Sequence, residues 1–157
     1  MSETRTSEVV GRRVLGAPPE EVWKAWSVPD HVAQWWGPAG FTCPSAEMDF
    51  REGGSSLVCM RAPAEYGGME MYNTWTYRRI EPHSRIEFDL AFTDADRARV
   101  PSPPGVPEDV RHVVTLTRLG SDRTELTVTE YGYTLDEARD LSAAGLEECL
   151  DKMESMF

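Results

Sequence analysis

The stretch 134–157 constrains this chain more than any other. Ala138, Leu141, Gly145, Leu146, Cys149, Leu150, Met153 and Phe157 recur at three- and four-residue intervals, which places them on one stripe of a helix. The other face carries Asp140, Glu147, Glu148, Asp151, Lys152 and Glu154, and no Pro interrupts the run. Thr134 followed by Glu137 has the spacing of a capping box, which satisfies orphan backbone donors at a helix start. A lone helix of this length is marginal in water, so its stripe must be buried against another element. The residues before it are strand-rich. The expected architecture is a sheet that grips one long terminal helix.

The chain up to that helix reads as a meander. Ser7–Leu15 is a first strand, stopped by Gly16-Ala17-Pro18-Pro19. Pro19 suits a first helical turn, and Glu20-Glu21 suits the positive end of the helix dipole. A short helix over Pro19–Ser27 is therefore expected, with Val22, Trp23, Ala25 and Trp26 on its apolar face. A second short helix opens at Pro29-Asp30, runs to Trp35-Trp36 and ends at Gly37-Pro38. Strands follow over 41–50, 55–61 and 69–80, separated by Gly53-Gly54 and Gly67-Gly68. The cleanest alternation comes next: Ile86, Phe88, Leu90 and Phe92 point one way, and Arg85, Glu87, Asp89 and Ala91 the other. That period marks a half-buried antiparallel strand. The segment 93–109 holds Pro101, Pro103, Pro104 and Pro107 and reads as a long polar loop. A hairpin over 111–119 and 124–131 then leads into the terminal helix. Consecutive strands with short turns form an antiparallel sheet. Curling it around a single helix tends to leave a space where a ligand would sit.

Composition narrows the function classes. At 157 residues the chain is expected to be one domain, 1–157, with 1–6 as a flexible tail. The net charge of −11, with no basic cluster longer than Arg12-Arg13 or Arg78-Arg79, argues against nucleic acid and anionic membranes as partners. Cys43, Cys59 and Cys149 form no CxxC pair and read as buried, reduced thiols of a cytoplasmic protein. No signal peptide is legible in MSETRTSEVV. His31, His83 and His112 lie in separate elements without ligand spacing, so no metal is expected. No P-loop, GxGxxG or nucleophile elbow occurs, and no cofactor is implied.

Several short motifs stand in a particular order: Val22-Trp23-x-Ala25-Trp26, Trp35-Trp36-Gly37-Pro38, Asp49-x-Arg51-x-Gly53-Gly54, Met60-Arg61, and Ile80-Glu81-Pro82 with Arg85-Ile86. Together they resemble the START-like (SRPBCC, Bet v 1-like) superfamily. Within it, the chain is similar to the branch related to the C-terminal domain of the heat-shock-protein-90 ATPase activator. The resemblance implies an α+β helix-grip fold, often with an apolar cavity. It implies a small apolar ligand, with a chaperone-interaction module or a cyclase/dehydratase-like enzyme as alternatives. Trp75 stands where relatives commonly have Gly, and Leu146 where many have Trp, so this cavity is expected to have its own shape. A homodimer through exposed surface is a further expectation.

Candidate site residues follow from strand period. If Val114 and Leu116 face the helix, so does His112; if Leu126 and Val128 do, so does Glu130. The simpler interpretation of His112 and Glu130 is a hydrogen-bonded pair at the strand ends, near water. The sharper one is a proton-transfer or ligand-orienting pair, with burial raising the Glu130 pKa. Trp35 and Trp36 are expected to split between core packing and a cavity mouth that stacks on a flat ligand. Among Met60, Met69, Met71, Tyr72, Trp75 and Tyr77, period two allows half to face inward, and Trp75 and Tyr77 are the expected ones. The expected ligand wall is Trp35, Trp36, Trp75, Tyr77, Phe88, Phe92, His112, Glu130, Leu146 and Leu150, with 93–109 as a lid. Asp49 and Arg51 fall on the same face and read as a solvent-side ion pair before the Gly53-Gly54 turn.

Overall fold

The computed structural model describes residues 6–157, so all but the last residue of the expected tail lies outside the described residues. Its elements, in chain order, are β1 (Ser7–Leu15), α1 (Pro19–Ser27), α2 (Pro29–Trp35), β2 (Thr42–Glu47), β3 (Ser55–Arg61), β4 (Glu70–Glu81), β5 (Arg85–Thr93), β6 (Asp109–Gly120), β7 (Arg123–Tyr133) and α3 (Asp136–Glu154). The strands form one curved seven-stranded sheet in the order β1-β7-β6-β5-β4-β3-β2, with every neighbouring pair antiparallel. α3 lies against β1 and also meets α2 and β7. This is the helix-grip α+β fold that the sequence implies. No described helix is long and apolar enough to cross a membrane.

Local chemistry accounts for the two short helices. Pro19 and Pro29 each sit in a first turn, where the missing N–H costs nothing. Val28 is extended (φ −97°, ψ 125°) because it precedes Pro29, and this one residue ends α1 and starts α2. The bend turns Trp26 and Trp35 towards each other, with ring centroids 4.6 Å apart.

The start of α3 differs from expectation. No capping box forms: Leu135 occupies the N-cap position, and no side chain caps the helix. Thr134 is held one residue outside instead, its N–H donating to the Gly105 carbonyl at 2.9 Å. Asp136 and Glu137 still complement the dipole of the first turn. The buried stripe is also shorter than the spacing suggests. Ala138, Leu146, Cys149, Leu150 and Met153 are buried, but Leu141 is 70% exposed, and Phe157 lies beyond the helix end. Leu141 faces a groove beside Pro103, Pro104 and Val106 of the 94–108 loop.

Strand β5 alternates as its sequence requires, except that Asp89 and Ala91 of the outward set are also buried. Asp89 points away from α3 yet is only 7% exposed. Arg78 and Arg111 cover it from the neighbouring strands, each donating to one carboxylate oxygen at 2.7 Å. Burial pushes the Asp89 carboxyl up, but the two guanidinium groups outweigh it and hold the pKa below the usual range. Asp49 and Arg51 pair at 2.9 Å on the surface, as the solvent-side interpretation expects. All three cysteines are free; Cys59 and Cys149 are buried, while Cys43 is only half-buried.

Candidate functional site

A cavity of about 250 Å³ lies between the sheet and α3, roofed by α1 and α2 on one side and by the 94–108 loop on another. Aromatic rings build much of its wall. Phe88 on β5 stacks on Trp75 (4.9 Å, 23°) and, across the strand, on His112 (4.7 Å, 17°). Trp35 is locked in the roof because its indole N–H donates to the Ala25 carbonyl at 2.6 Å. Trp36 meets Trp75 edge to face at 5.2 Å. Among the described residues, the indole N–H groups of Trp26, Trp36 and Trp75 have no hydrogen-bond partner, an uncommon state for buried donors.

Of the residues expected at the cavity, Trp35, Trp36, Phe88, Phe92, His112, Glu130 and Leu146 line it. Trp75, Tyr77 and Leu150 do not, and their expected place is corrected. All three face inward, but each is covered by other side chains. Trp75 is fully buried behind Phe88. Tyr77 turns its hydroxyl to Ser56, 2.7 Å away. Leu150 packs on β1 at Gly11.

Inside this apolar wall sits a polar cluster. The β6–β7 register places His112 opposite Glu130, and both are under a tenth exposed. The pair therefore lies in the cavity wall and not at a water-facing strand end. The His112 Nδ1 lies 2.9 Å from the Val110 carbonyl, which can only accept, so this nitrogen carries a hydrogen. Nε2 then faces Glu130 Oε2 at 3.5 Å. Two lone pairs would repel there, so one further proton belongs to that axis. Glu130 Oε1 accepts a hydrogen bond from the Tyr133 hydroxyl at 2.6 Å.

The expected rise in the Glu130 pKa is corrected by this geometry. Burial pushes the carboxyl up, but His112 beside it and the hydrogen bond from the Tyr133 hydroxyl hold it below the usual carboxylate range. Tyr133 is pushed up, chiefly by burial and then by the adjacent carboxylate. Burial raises the Cys149 thiol, also on the cavity wall, to about 11. At neutral pH it is a thiol and not a nucleophilic thiolate. No group of three metal-ligating side chains occurs among the described residues.

Sequence period alone misses Tyr133. Strict alternation from Glu130 sends residue 133 to the outer face. A bulge intervenes: Val9 pairs with Glu130 and Ser7 with Tyr133, so three steps on β7 match two on β1. Gly132, at φ +103°, supplies the backbone conformation needed. The Gly132-Tyr133 dipeptide was the available signal. Asn73 was missed as well. It is 4% exposed and lines the cavity.

The 94–108 loop is tied down by polar contacts. Asp94 accepts hydrogen bonds from the Asp96 and Ala98 N–H groups at 2.8 and 3.0 Å. Arg99 pairs with Asp109 at 2.8 Å. Pro103 and Val106 of this loop reach the cavity wall, opposite Ser142 and Gly145 of α3.

Residues 16–157 match the family described as "Activator of Hsp90 ATPase homolog 1-like protein". No curated protein matches the chain. Among solved structures, a Chromobacterium violaceum protein is 28% identical over 95% of this chain and 95% of its own, with a TM-score of 0.79. The AHSA1 protein from Silicibacter pomeroyi is 18% identical over 96% of each chain, with a TM-score of 0.77. A Mycobacterium smegmatis protein is 19% identical over 98% of this chain and 91% of its own, with a TM-score of 0.76. The last two likenesses are likenesses of fold.

Proposed function

The chain belongs to the activator of Hsp90 ATPase homolog 1-like family, and from that premise we propose that it binds a small hydrophobic or aromatic molecule between the sheet and α3. One observation carries this: an aromatic-walled cavity of about 250 Å³ that contains a buried acid–base pair. A cleft walled by aromatic side chains with a few convergent polar groups is the usual form of a small-molecule site. The 94–108 loop acts as the lid, through Pro103 and Val106. The three free cysteines suit a reducing, cytoplasmic setting.

Native mass spectrometry of the purified protein, with a titration of apolar aromatic probes, tests the proposal. A retained or titratable ligand with one-to-one stoichiometry is expected. If no probe binds and none raises the melting temperature, the proposal fails.

The family name favours a second function, interaction with a chaperone ATPase. It predicts a change in chaperone ATP turnover on addition of this protein, whether or not the cavity is occupied. An unaltered turnover rate together with no co-purifying chaperone would remove it.

A further inference from the structure

We propose that the cavity takes an elongated, uncharged aromatic molecule whose hydroxyl at one end donates to Glu130 and whose second polar group, at the far end, meets Asn73. This deepens the ligand-binding function above and rests on it.

The cavity has two polar poles. Glu130, His112 and Phe88 form one row across β7, β6 and β5. Asn73 pairs with Phe92 on β5. Phe88 and Phe92 are four residues apart, which is about 14 Å of strand. Between the two rows the wall is apolar, with Leu90 and Val110. A compact ligand reaches one pole; only an elongated one reaches both.

Each pole has unused hydrogen-bonding capacity. The Asn73 side chain is more than nine-tenths buried and lines the cavity. Its amide offers two donor hydrogens and an acceptor oxygen, so a polar ligand atom beside it would replace water at those groups. The Glu130 carboxylate has about four acceptor positions. Tyr133 takes one, and His112, at 3.5 Å, is beyond a good hydrogen bond. A ligand O–H fits the remainder.

Charge sets the rest. A ligand carboxylate would meet Glu130 at close range in a poorly screened site, inside a protein of net charge −11. A neutral hydroxyl meets no such penalty. The aromatic wall, with the Trp36 ring in it, favours a flat body between the poles.

Isothermal titration of the intact chain with four probes tests this: biphenyl, the para-linked biphenol, its dimethoxy ether and the matching dicarboxylate. Biphenol is expected to bind at least about tenfold tighter than biphenyl, as a hydrogen bond to a charged group implies. The ether is expected to lose that gain, and the dicarboxylate not to bind. Glu130→Gln and Asn73→Leu should each shrink the biphenol-to-biphenyl ratio severalfold. Asn73→Leu carries the test if Glu130→Gln unfolds. If biphenyl binds and biphenol binds no better, or if both substitutions leave the ratio unchanged, this inference is overturned while ligand binding stands. If none of the four binds, ligand binding itself falls and takes this inference with it.

Discussion

Gly11 on β1 lies directly under Leu146 of α3: a Cβ at position 11 would come within 2.8 Å of Leu146 Cδ2, and equally close to Leu150 Cδ1. Two functions meet at this contact. It sets how closely α3 approaches the sheet, and Leu146 also lines the cavity.

Gly11→Ala is expected to destabilise the protein by roughly 1–2 kcal/mol. Overpacking costs about 1–3 kcal/mol, and the stiffer unfolded chain returns part of it. The clashing atoms are the ends of leucine side chains, so Leu146 should rotate towards the cavity and weaken ligand binding. Adding Leu146→Ala should restore part of the stability. Urea denaturation of the two single variants and the double variant would show this as a favourable coupling; simple additivity would refute it.

The buried pair predicts a pH dependence. The Glu130 pKa is lowered in the folded state, so its contribution to stability is present above the unfolded value of about 4.5 and is lost as pH falls through the folded value. Asp89 contributes in the same direction at lower pH. The groups facing Glu130 are His112 from β6, Tyr133 from β7 and Cys149 from α3. Glu130→Gln should therefore flatten the upper part of the acid limb in denaturation midpoints measured against pH. His112→Phe removes the counter-charge and leaves burial to raise the Glu130 pKa. Its sign inverts: that variant should be weakest near neutrality and recover as pH falls. An acid limb identical in all three proteins would disprove the coupling.

Arg13 predicts a salt dependence. It lies on the inward face of β1 and bridges Glu147, Asp151 and Glu154 of α3 at 2.6, 2.8 and 3.2 Å. Those three acids share one side of the helix, and Asp151 and Glu154 stand in its last turn, at the negative dipole end. They are at least half exposed, so each pair is worth well under 1 kcal/mol when screened. Arg13→Met should cost about 1–2 kcal/mol at low salt and much less at molar salt. Equal losses at both ionic strengths would mean that packing, not charge, holds α3 there.

Gly105 predicts how the lid behaves. Its φ is +82°, and a Cβ there would lie 2.6 Å from the Leu135 Cβ. Neither atom is the end of a flexible chain, so Gly105→Ala must push the loop off the start of α3. The 2.9 Å bond from Thr134 N–H to the Gly105 carbonyl should break with it. Faster hydrogen exchange over 103–107 and faster release of a bound apolar probe are expected. Unchanged release would show that this loop does not gate the cavity.

Tyr77 separates core from cavity. Tyr77→Phe loses the 2.7 Å contact to Ser56 and should cost about 1 kcal/mol. Because Tyr77 is outside the cavity wall, probe affinity should hold. Phe88→Leu, on the wall, should weaken probe binding several-fold. A parallel loss in both variants would place Tyr77 back among the binding residues.

Much of this architecture was legible in residue order. Pro19–Ser27 and Ser55–Arg61 appear with the expected bounds, because proline placement and glycine turns act within a few residues. Ile86, Phe88 and Leu90 face the core as their alternation requires. His112 and Glu130 were found by the same parity, extended from their neighbours. Their burial was not legible, since depth depends on which elements cover a strand. Trp75, Tyr77 and Leu150 show the limit from the other side. Period assigns them to the inner face, but inward residues divide between wall and core only after every side chain is packed.

Sequence alone determined the period-two meander, the proline-started helices and the apolar stripe that forces α3 onto a sheet. These are short-range consequences of backbone geometry and hydrophobic patterning. Tertiary structure decided the rest: the bulge at Gly132 that turns Tyr133 onto Glu130, Arg13 facing the acids of α3, and the amide of Asn73 opening into the same hollow as a carboxylate three strands away. Each of these depends on which strands become neighbours and in what register. That choice is made by burial of the whole sheet at once, and no local run of residues contains it.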